Sequence, residues 1–372
     1  MFNIIDYVKW RGDVLFESSE LNKIDSLIFC ELSYIPFEKI LSANKHGDTL
    51  EVLCERFMLL PEKERKMGVI IPEKSITQLF IEVAKSKRFK NVRVKNYVNN
   101  VCKKAEKQFC AMTFVISKDY YYIAYRGTDD NIVAWKEDFN MAFNTPIPSQ
   151  KEGADYLNSV GTKTRRKLYV GGHSKGGNIA VYSALFANEK VKNKILSVHN
   201  FDGPGFTPEF ISQIENDEIK EITTQVIPQA SIIGVIFENI GNRICVKSLG
   251  KGMYQHDAFF WGVLGSEFLE ADSLAKSSVD FHDLLLKWSG AMKPEEREEF
   301  VEALFKLITI NDISTLSEIA SGKVKFILGL FKADNQTKKV LFSAIKKLFQ
   351  EKKTLDKTKV ATKEKLPKKP KK

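Results

Sequence analysis

The sequence predicts an α/β fold: a mostly parallel central sheet flanked by helices, with a helical N-terminal segment before it and a helical C-terminal extension after it. Three observations carry this. Between 109 and 249, short β-rich runs alternate with stretches of helical period. At 167–185 a short apolar strand passes through a glycine-rich turn straight into a helix pattern. On both sides of this middle section the apolar residues recur at helical spacing.

Taken in order, residues 1–100 read as mostly helical. Ile24, Leu27, Ile28, Leu32 and Ile35 follow a helical stripe, and E-V-L-C-E-R-F-M-L-L and I-T-Q-L-F-I-E-V-A-K-S-K-R-F give two further helices. The period then changes. F-C-A-M-T-F-V-I (109–116) and Y-Y-Y-I-A-Y-R-G (120–127), split by Ser117-Lys118-Asp119, predict an antiparallel hairpin. A helix over 151–160, a strand over 167–172, a helix from Ser174 onward, a strand over 195–201, a helix over 208–216 and strands over 221–227 and 242–249 follow. From 262 to about 350 the pattern is helical throughout, a layer completing the fold or a lid over a cleft. The domain reading is therefore a helical N-terminal segment at 1–100, a core at 101–262, a helical extension at 263–350 and a disordered Lys-rich tail at 351–372.

Composition narrows the function classes. Of 372 residues 43% are hydrophobic and 26 are Phe, which excludes global disorder. The net charge of +10 is uneven: the last 22 residues hold ten Lys against three acids, +7, which leaves +3 for the rest. A nucleic-acid-binding domain would carry its positive charge on the folded face, so no specific nucleic-acid partner is expected, only a weak contact of the tail with anionic membranes. Charges at Asp6, Lys9, Arg11 and Asp13 interrupt any signal-peptide-like core. No run approaches the roughly 18 apolar residues of a membrane span. Five Cys with no close pair argue against a disulfide framework or a structural zinc site, and for a cytoplasmic location. P-loop, dinucleotide and H-E-x-x-H motifs are absent, and no cofactor or metal is expected.

The chemistry concentrates at Gly172-His173-Ser174-Lys175-Gly176, a G-x-S-x-G elbow between a strand and a helix. Such a turn strains the backbone of its central residue, demands glycine at its flanks and lifts the serine Oγ above the sheet. The helix start supplies a free N–H for an oxyanion. Read otherwise, this is a plain glycine-rich turn with a surface serine.

A serine needs a base. The five His are 46, 173, 199, 256 and 282. In the order nucleophile, acid, base, only three lie downstream of Ser174. His199 falls inside a strand and His282 inside a helix, whereas His256 lies in a loop after the last strand and is the candidate base. His173 belongs to the turn, and its side chain should point away from Oγ. Asp202, in F-D-G-P-G-F after the strand 195–201, is the candidate acid, placed at the strand end where catalytic groups collect. Its alternative role is to cap a turn. The oxyanion donors are the N–H groups of Lys175 and Thr128, the latter with its hydroxyl. Arg126 is expected to pair with Asp138.

At these residues the chain resembles the α/β-hydrolase superfamily on its lipase side. A-Y-R-G-T followed by Trp135-x-x-Asp138-Phe139 is similar to a class 3 lipase signature, and F-D-G-P-G-F is similar to the acid-bearing stretch of pancreatic-type lipases. The whole of 1–330 resembles the Mbeg-like family of bacterial proteins, through I-I-D-Y-V-K-W-R-G-D, D-S-L-I-F-C-E-L-S-Y-I, Y-R-G-T-D-D, G-G-H-S-K-G-G-N, N-F-D-G-P-G-F, I-P-Q-A-S-I-I-G and Y-Q-H-D. The resemblance implies an α/β-hydrolase fold and a carboxylic ester hydrolase acting on a small-molecule or lipid ester through Ser174, Asp202 and His256. Two departures point the other way, to an idle hydrolase fold used for binding or regulation. Lys175 replaces the usual apolar residue and puts a cation beside the site. The stretch V-I-P-Q-A-S-I-I-G, where class 3 lipases place their acid, offers only Ser231.

Overall fold

The computed structural model describes the chain except residues 68–72, 103, 105–106, 129–131, 142–144, 215–217, 310–332 and 365–372, and except the side chains of 132–135, 308–309 and 358–364. It divides into two compact units, Met1–Ser278 and Val279–Lys372.

The first unit is built on an eight-stranded sheet: β1 (Asp48–Thr49), β2 (Arg93–Cys102), β3 (Lys107–Val115), β4 (Tyr120–Tyr125), β5 (Lys167–His173), β6 (Ile195–Phe201), β7 (Thr223–Pro228) and β8 (Asn242–Val246). The strands lie side by side in chain order. β1 to β4 pair antiparallel and β4 to β8 parallel. The parallel half demands crossovers, and helices supply the larger of them. This is the α/β-hydrolase type of architecture that the alternation of strand and helix signals predicts.

Both faces are covered. On one lie α1 (Ile4–Arg11), α2 (Lys23–Leu32), α3 (Leu50–Leu59) and α4 (Glu73–Lys85). Their stripes Ile24, Leu27 and Ile28 pack with Cys110, Met112, Phe114, Tyr122 and Ala124 of the sheet. Past β4 the chain forms α5 (Ile132–Asn140), and on the other face α6 (Pro148–Thr162) and α7 (Lys175–Leu185) pack with Phe109, Ala111, Tyr121, Ile123 and Tyr125. The two-residue period of a strand thus deals the aromatics of Y-Y-Y-I-A-Y alternately to two cores. The N-terminal helices are tied down by Arg88, fully buried, which donates to Asp25 and to the carbonyls of Val14, Ser19 and Glu20.

Three expectations need correction. Residues 1–100 are not all helical, because β1 and β2 extend the sheet there. β2 is half exposed and broken by a bulge between Lys95 and Val98, with Asn96 at φ 53°, so its apolar alternation is interrupted. The helical extension does not begin at 263. Val263–Leu264 and Glu267–Phe268 form a small hairpin, whose Val263 N–H bonds to Phe2, and the next helix starts at Lys276. These added pairings keep 263–275 with the first unit. Of the Lys-rich stretch expected to be disordered, residues 351–364 continue the helix Asn335–Glu364, and residues 365–372 lie outside the described residues.

The second unit is helical. Trp288 packs edge-on against Phe300 and donates its indole N–H to the Ala344 carbonyl (2.9 Å). Ala303, Leu307, Ala333 and Leu341 share a small core, and Lys347 binds Glu296 (2.8 Å). Among the described residues no helix is long and apolar enough to cross a membrane.

Candidate active site

β5 ends on His173 and α7 begins on Lys175, so a single residue, Ser174, makes the turn. Its backbone sits at φ 58°, ψ −135°, a conformation strained for any residue with a Cβ. The surroundings enforce it. A Cβ on residue 172 would strike the Gly176 carbonyl, and one on residue 176 would strike the Tyr125 carbonyl. A Cβ on residue 177 would strike the Asn200 amide. Glycine at these positions lets β5, α7 and the end of β4 close on one another, which is the crowding the G-x-S-x-G spacing implies. Asn178, buried one turn into α7, donates to the carbonyls of Pro204 and Gly205 (3.1 and 3.0 Å) and fixes the F-D-G-P-G-F loop beside the elbow.

Asp202 lies just past the end of β6 at φ 48°, fully buried. Its Oδ2 accepts from His256 Nδ1 (2.6 Å), while its Oδ1 accepts from the Ser231 hydroxyl (2.6 Å) and the Gly234 N–H (3.1 Å). Burial raises the carboxyl's pKa, and the His256, Ser231 and Gly234 donors oppose that rise. The stretch V-I-P-Q-A-S-I-I-G, which lacks an acid, therefore supplies the groups that hold one.

His256 is partly exposed and ends a tight turn at Gly252–Gln255. Gln255 anchors this loop. Its amide binds the Gly250 carbonyl and accepts from the Ala230 N–H (3.1 Å), and its backbone carbonyl accepts from the Trp261 indole (2.8 Å). The loop bearing His256 and the loop bearing Ser231 are thus tied together.

His173 faces this assembly rather than avoiding it. Its ring stacks on His256 with centroids 4.5 Å apart, and its Nε2–H donates to the His256 carbonyl (2.9 Å). Burial and the neighbouring His256 lower its pKa well below the usual value, so the ring is neutral and Nδ1 accepts, here from the Tyr34 hydroxyl (3.3 Å). The Tyr34 hydroxyl lies against Gly127, just past the end of β4, where a Cβ would strike it. A chain of hydrogen bonds therefore joins Tyr34 through His173 to the His256 backbone. Glu31 completes the layer beneath, its Oε1 3.5 Å from His173 Nδ1.

Lys175 points away from the serine. Its ammonium is buried 3.2 Å from Glu137, 3.3 Å from Asp138 and 3.3 Å from Gln108 Oε1. Burial works to lower its pKa, but the two carboxylates outweigh it and raise the pKa overall. The sequence expectation of a cation beside the site is overturned: what Lys175 leaves at the elbow is its backbone N–H. Asp138, pushed up to about 6 by burial, also accepts from the Thr128 hydroxyl (2.6 Å). That hydroxyl is taken, so only the N–H of Thr128 remains for an oxyanion. Among the described residues neither that N–H nor the N–H of Lys175 has an acceptor. Arg126, expected on Asp138, donates to Asn99 (3.1 Å), while the Asp138 oxygens face Lys175 and Thr128. The Trp135 side chain lies outside the described residues.

The remaining histidines stand apart. His199 is buried against the Ser26 hydroxyl (2.8 Å), with its pKa lowered to about 3 by burial; His46 is exposed and His282 lies on the helix Lys276–Gly290. Among the described residues no group of three or more His, Cys, Asp or Glu is arranged to hold a metal. The sequence reading missed Tyr34, Glu31, Gln255 and the donor role of Ser231. All four do lie within stretches that carried the resemblance: Glu31 and Tyr34 in D-S-L-I-F-C-E-L-S-Y-I, Ser231 in I-P-Q-A-S-I-I-G and Gln255 in Y-Q-H-D.

No curated protein matches the chain. Solved structures similar to it include a fungal lipase in complex with an inhibitor, 15% identical over 59% of this chain and 77% of that one, with a TM-score of 0.38. Lipase II from Rhizopus niveus is 15% identical over 46% of this chain and 70% of its own, with a TM-score of 0.35. A mutant form of MDLA from Penicillium cyclopium is 12% identical over 68% and 90%, with a TM-score of 0.38. The model of one protein family matches residues 83–306, a stretch holding Ser174, Asp202, His256, Thr128 and Ser231; the chain belongs to the Mbeg1-like family.

Proposed function

We propose that the chain is a serine hydrolase of the lipase or esterase type that cleaves a carboxylic ester through an acyl-enzyme on Ser174. The observation that carries this is the 2.6 Å bond between Asp202 and His256 Nδ1, with the His256 ring stacked on His173, the residue before a serine on a strained elbow. A carboxylate at Nδ1 leaves Nε2 unprotonated in the neutral ring, as a general base requires.

In this reading Ser174 Oγ attacks the ester carbonyl and His256 Nε2 takes the hydroxyl proton. The imidazolium so formed is stabilised by Asp202. The carbonyl oxygen, now an anion, is received by the N–H groups of Lys175 and Thr128 at the positive end of α7. The tetrahedral intermediate collapses, His256 returns the proton to the leaving alcohol, and water repeats the sequence to free the acid. The five free thiols support a reducing, cytoplasmic setting.

The test is labelling by a fluorophosphonate, which reacts with activated serines. The wild type is expected to be labelled, and Ser174→Ala and His256→Ala are expected to be silent. A folded wild type that takes no label overturns the enzyme reading and leaves a hydrolase fold used for binding. The two departures that favoured that alternative have lost weight, since Lys175 is sequestered and Asp202 has its donors.

A further inference from the structure

The helix Asn335–Glu364 carries two apolar faces. One is used: Leu341, Ala344 and Leu355 are buried, and Lys347 on the same helix binds Glu296. The other is not. Phe342, Ile345 and Phe349 are 60%, 42% and 65% exposed, and their spacing of three and four residues aligns them as one ridge. Lys339, Lys346 and Lys353 recur every seven residues, each three or four positions from a ridge aromatic. Lys352 flanks Phe349 from the other side, three positions on. All four lysines are exposed, and none makes an ion pair among the described residues.

We infer that this face of the C-terminal helix is a docking surface for an anionic lipid bilayer, on which the helix lies flat. Two large aromatics and an isoleucine in a row enter the headgroup–acyl boundary, while flanking lysines extend their stems along the apolar layer and keep their ammonium groups at the phosphates. The charge pattern argues for this occupant over others. A second copy of the same helix would bring like charges together along the same edge. A nucleic acid would meet the lysines but gain nothing from burying a Phe–Ile–Phe ridge. The lysine-rich residues 351–364, which as a loose tail would give only diffuse attraction, here continue the same helix.

The test is co-sedimentation of the full chain with vesicles of equimolar phosphatidylglycerol and phosphatidylcholine, and with phosphatidylcholine alone. Binding is expected to the anionic vesicles, to fall with added salt, and to be absent from the neutral ones. Phe342→Ser with Phe349→Ser is expected to weaken it at least about tenfold, as is Lys339→Glu with Lys346→Glu, which touches no buried contact. Failure of the wild type to bind, equal binding to neutral vesicles, or binding unchanged in the charge-reversal variant overturns the inference. So does a wild-type dimer that the Phe variant converts to monomer without any vesicle binding. If the Phe variant fails to fold, the lysine variant decides alone.

Discussion

Two imidazoles, those of His173 and His256, lie face to face, and each has a carboxyl group at its Nδ1, yet the two pairs are built on opposite principles. Asp202 sits 2.6 Å from His256 and accepts two further hydrogen bonds, from Ser231 and Gly234. Glu31 sits 3.5 Å from His173, and neither of its oxygens has a hydrogen-bond partner. Both carboxyls are fully buried. Burial pushes either one toward its uncharged form, and at Glu31 no donor opposes it: the pKa is raised well above the usual range, by burial first and by Asp257 second. At Asp202 donors on every side oppose that rise. The difference is one of donors rather than depth. In the proposed mechanism it divides the labour between a pair that would stabilise a transient imidazolium and a pair that holds the first one's backbone in place.

The comparison predicts opposite responses to the same change, carboxylate to amide. Asp202→Asn keeps the shape but removes the charge and the tautomer control, and is expected to slow fluorophosphonate labelling by about ten-thousandfold. Glu31→Gln keeps the shape of a carboxyl that burial pushes toward its uncharged form, and is expected to leave labelling within about threefold. Equal losses in both variants would mean that Glu31 is ionised and that the two pairs act alike.

A smaller effect probes how Asp202 is held. Ser231→Ala deletes one donor to a buried carboxylate, an interaction of about 1.5–3 kcal/mol. Labelling is expected to slow by roughly tenfold to a hundredfold. The acid limb of its pH profile should move upward, since Asp202 loses one of the groups opposing its raised pKa. A stability loss without that shift would reduce Ser231 to a packing role.

The sequence carried the elbow, the base and the acid because each is bound to a local signal. Glycines 172, 176 and 177 report the crowding around Ser174, Gly203 and Gly205 mark the loop after β6, and His256 stands beyond the final strand of the sheet. What it did not carry is direction. Whether Lys175 points toward the serine or into a carboxylate nest depends on Glu137, 38 positions away, which also accepts the N–H groups of Gln108 and Ser149. The link from Tyr34 to His173 spans 139 positions. Such contacts are set by packing between elements, and no periodicity in one segment encodes them. Strand β2 escaped for a related reason: its bulge and its exposure erase the alternation by which buried strands are recognised.

The smallest effect tests the neutral pair through its neighbour. Asp257 is buried, its Oδ1 accepts from the Phe259 N–H (2.9 Å) and its Oδ2 has no partner. Burial pushes its pKa up to about 6, against the pull of that N–H and of His256. Between its ordinary value near ~4 and about 6, the unfolded chain has released this proton while the folded chain still holds it. The unfolded state then binds fewer protons, so this residue subtracts stability as pH rises through that window, and the loss stays constant above it. Asn at this position keeps the oxygen that accepts from Phe259 and cannot ionise. Asp257→Asn is therefore expected to match the wild type in thermal stability near pH ~4 and to exceed it by about 1–3 kcal/mol above pH ~7. A difference that does not vary with pH would show that Asp257 ionises as readily in the folded chain as in the unfolded one. An ionised Asp257 would raise the Glu31 pKa further, and the contrast between the two histidine pairs would then rest on that charge as well as on burial.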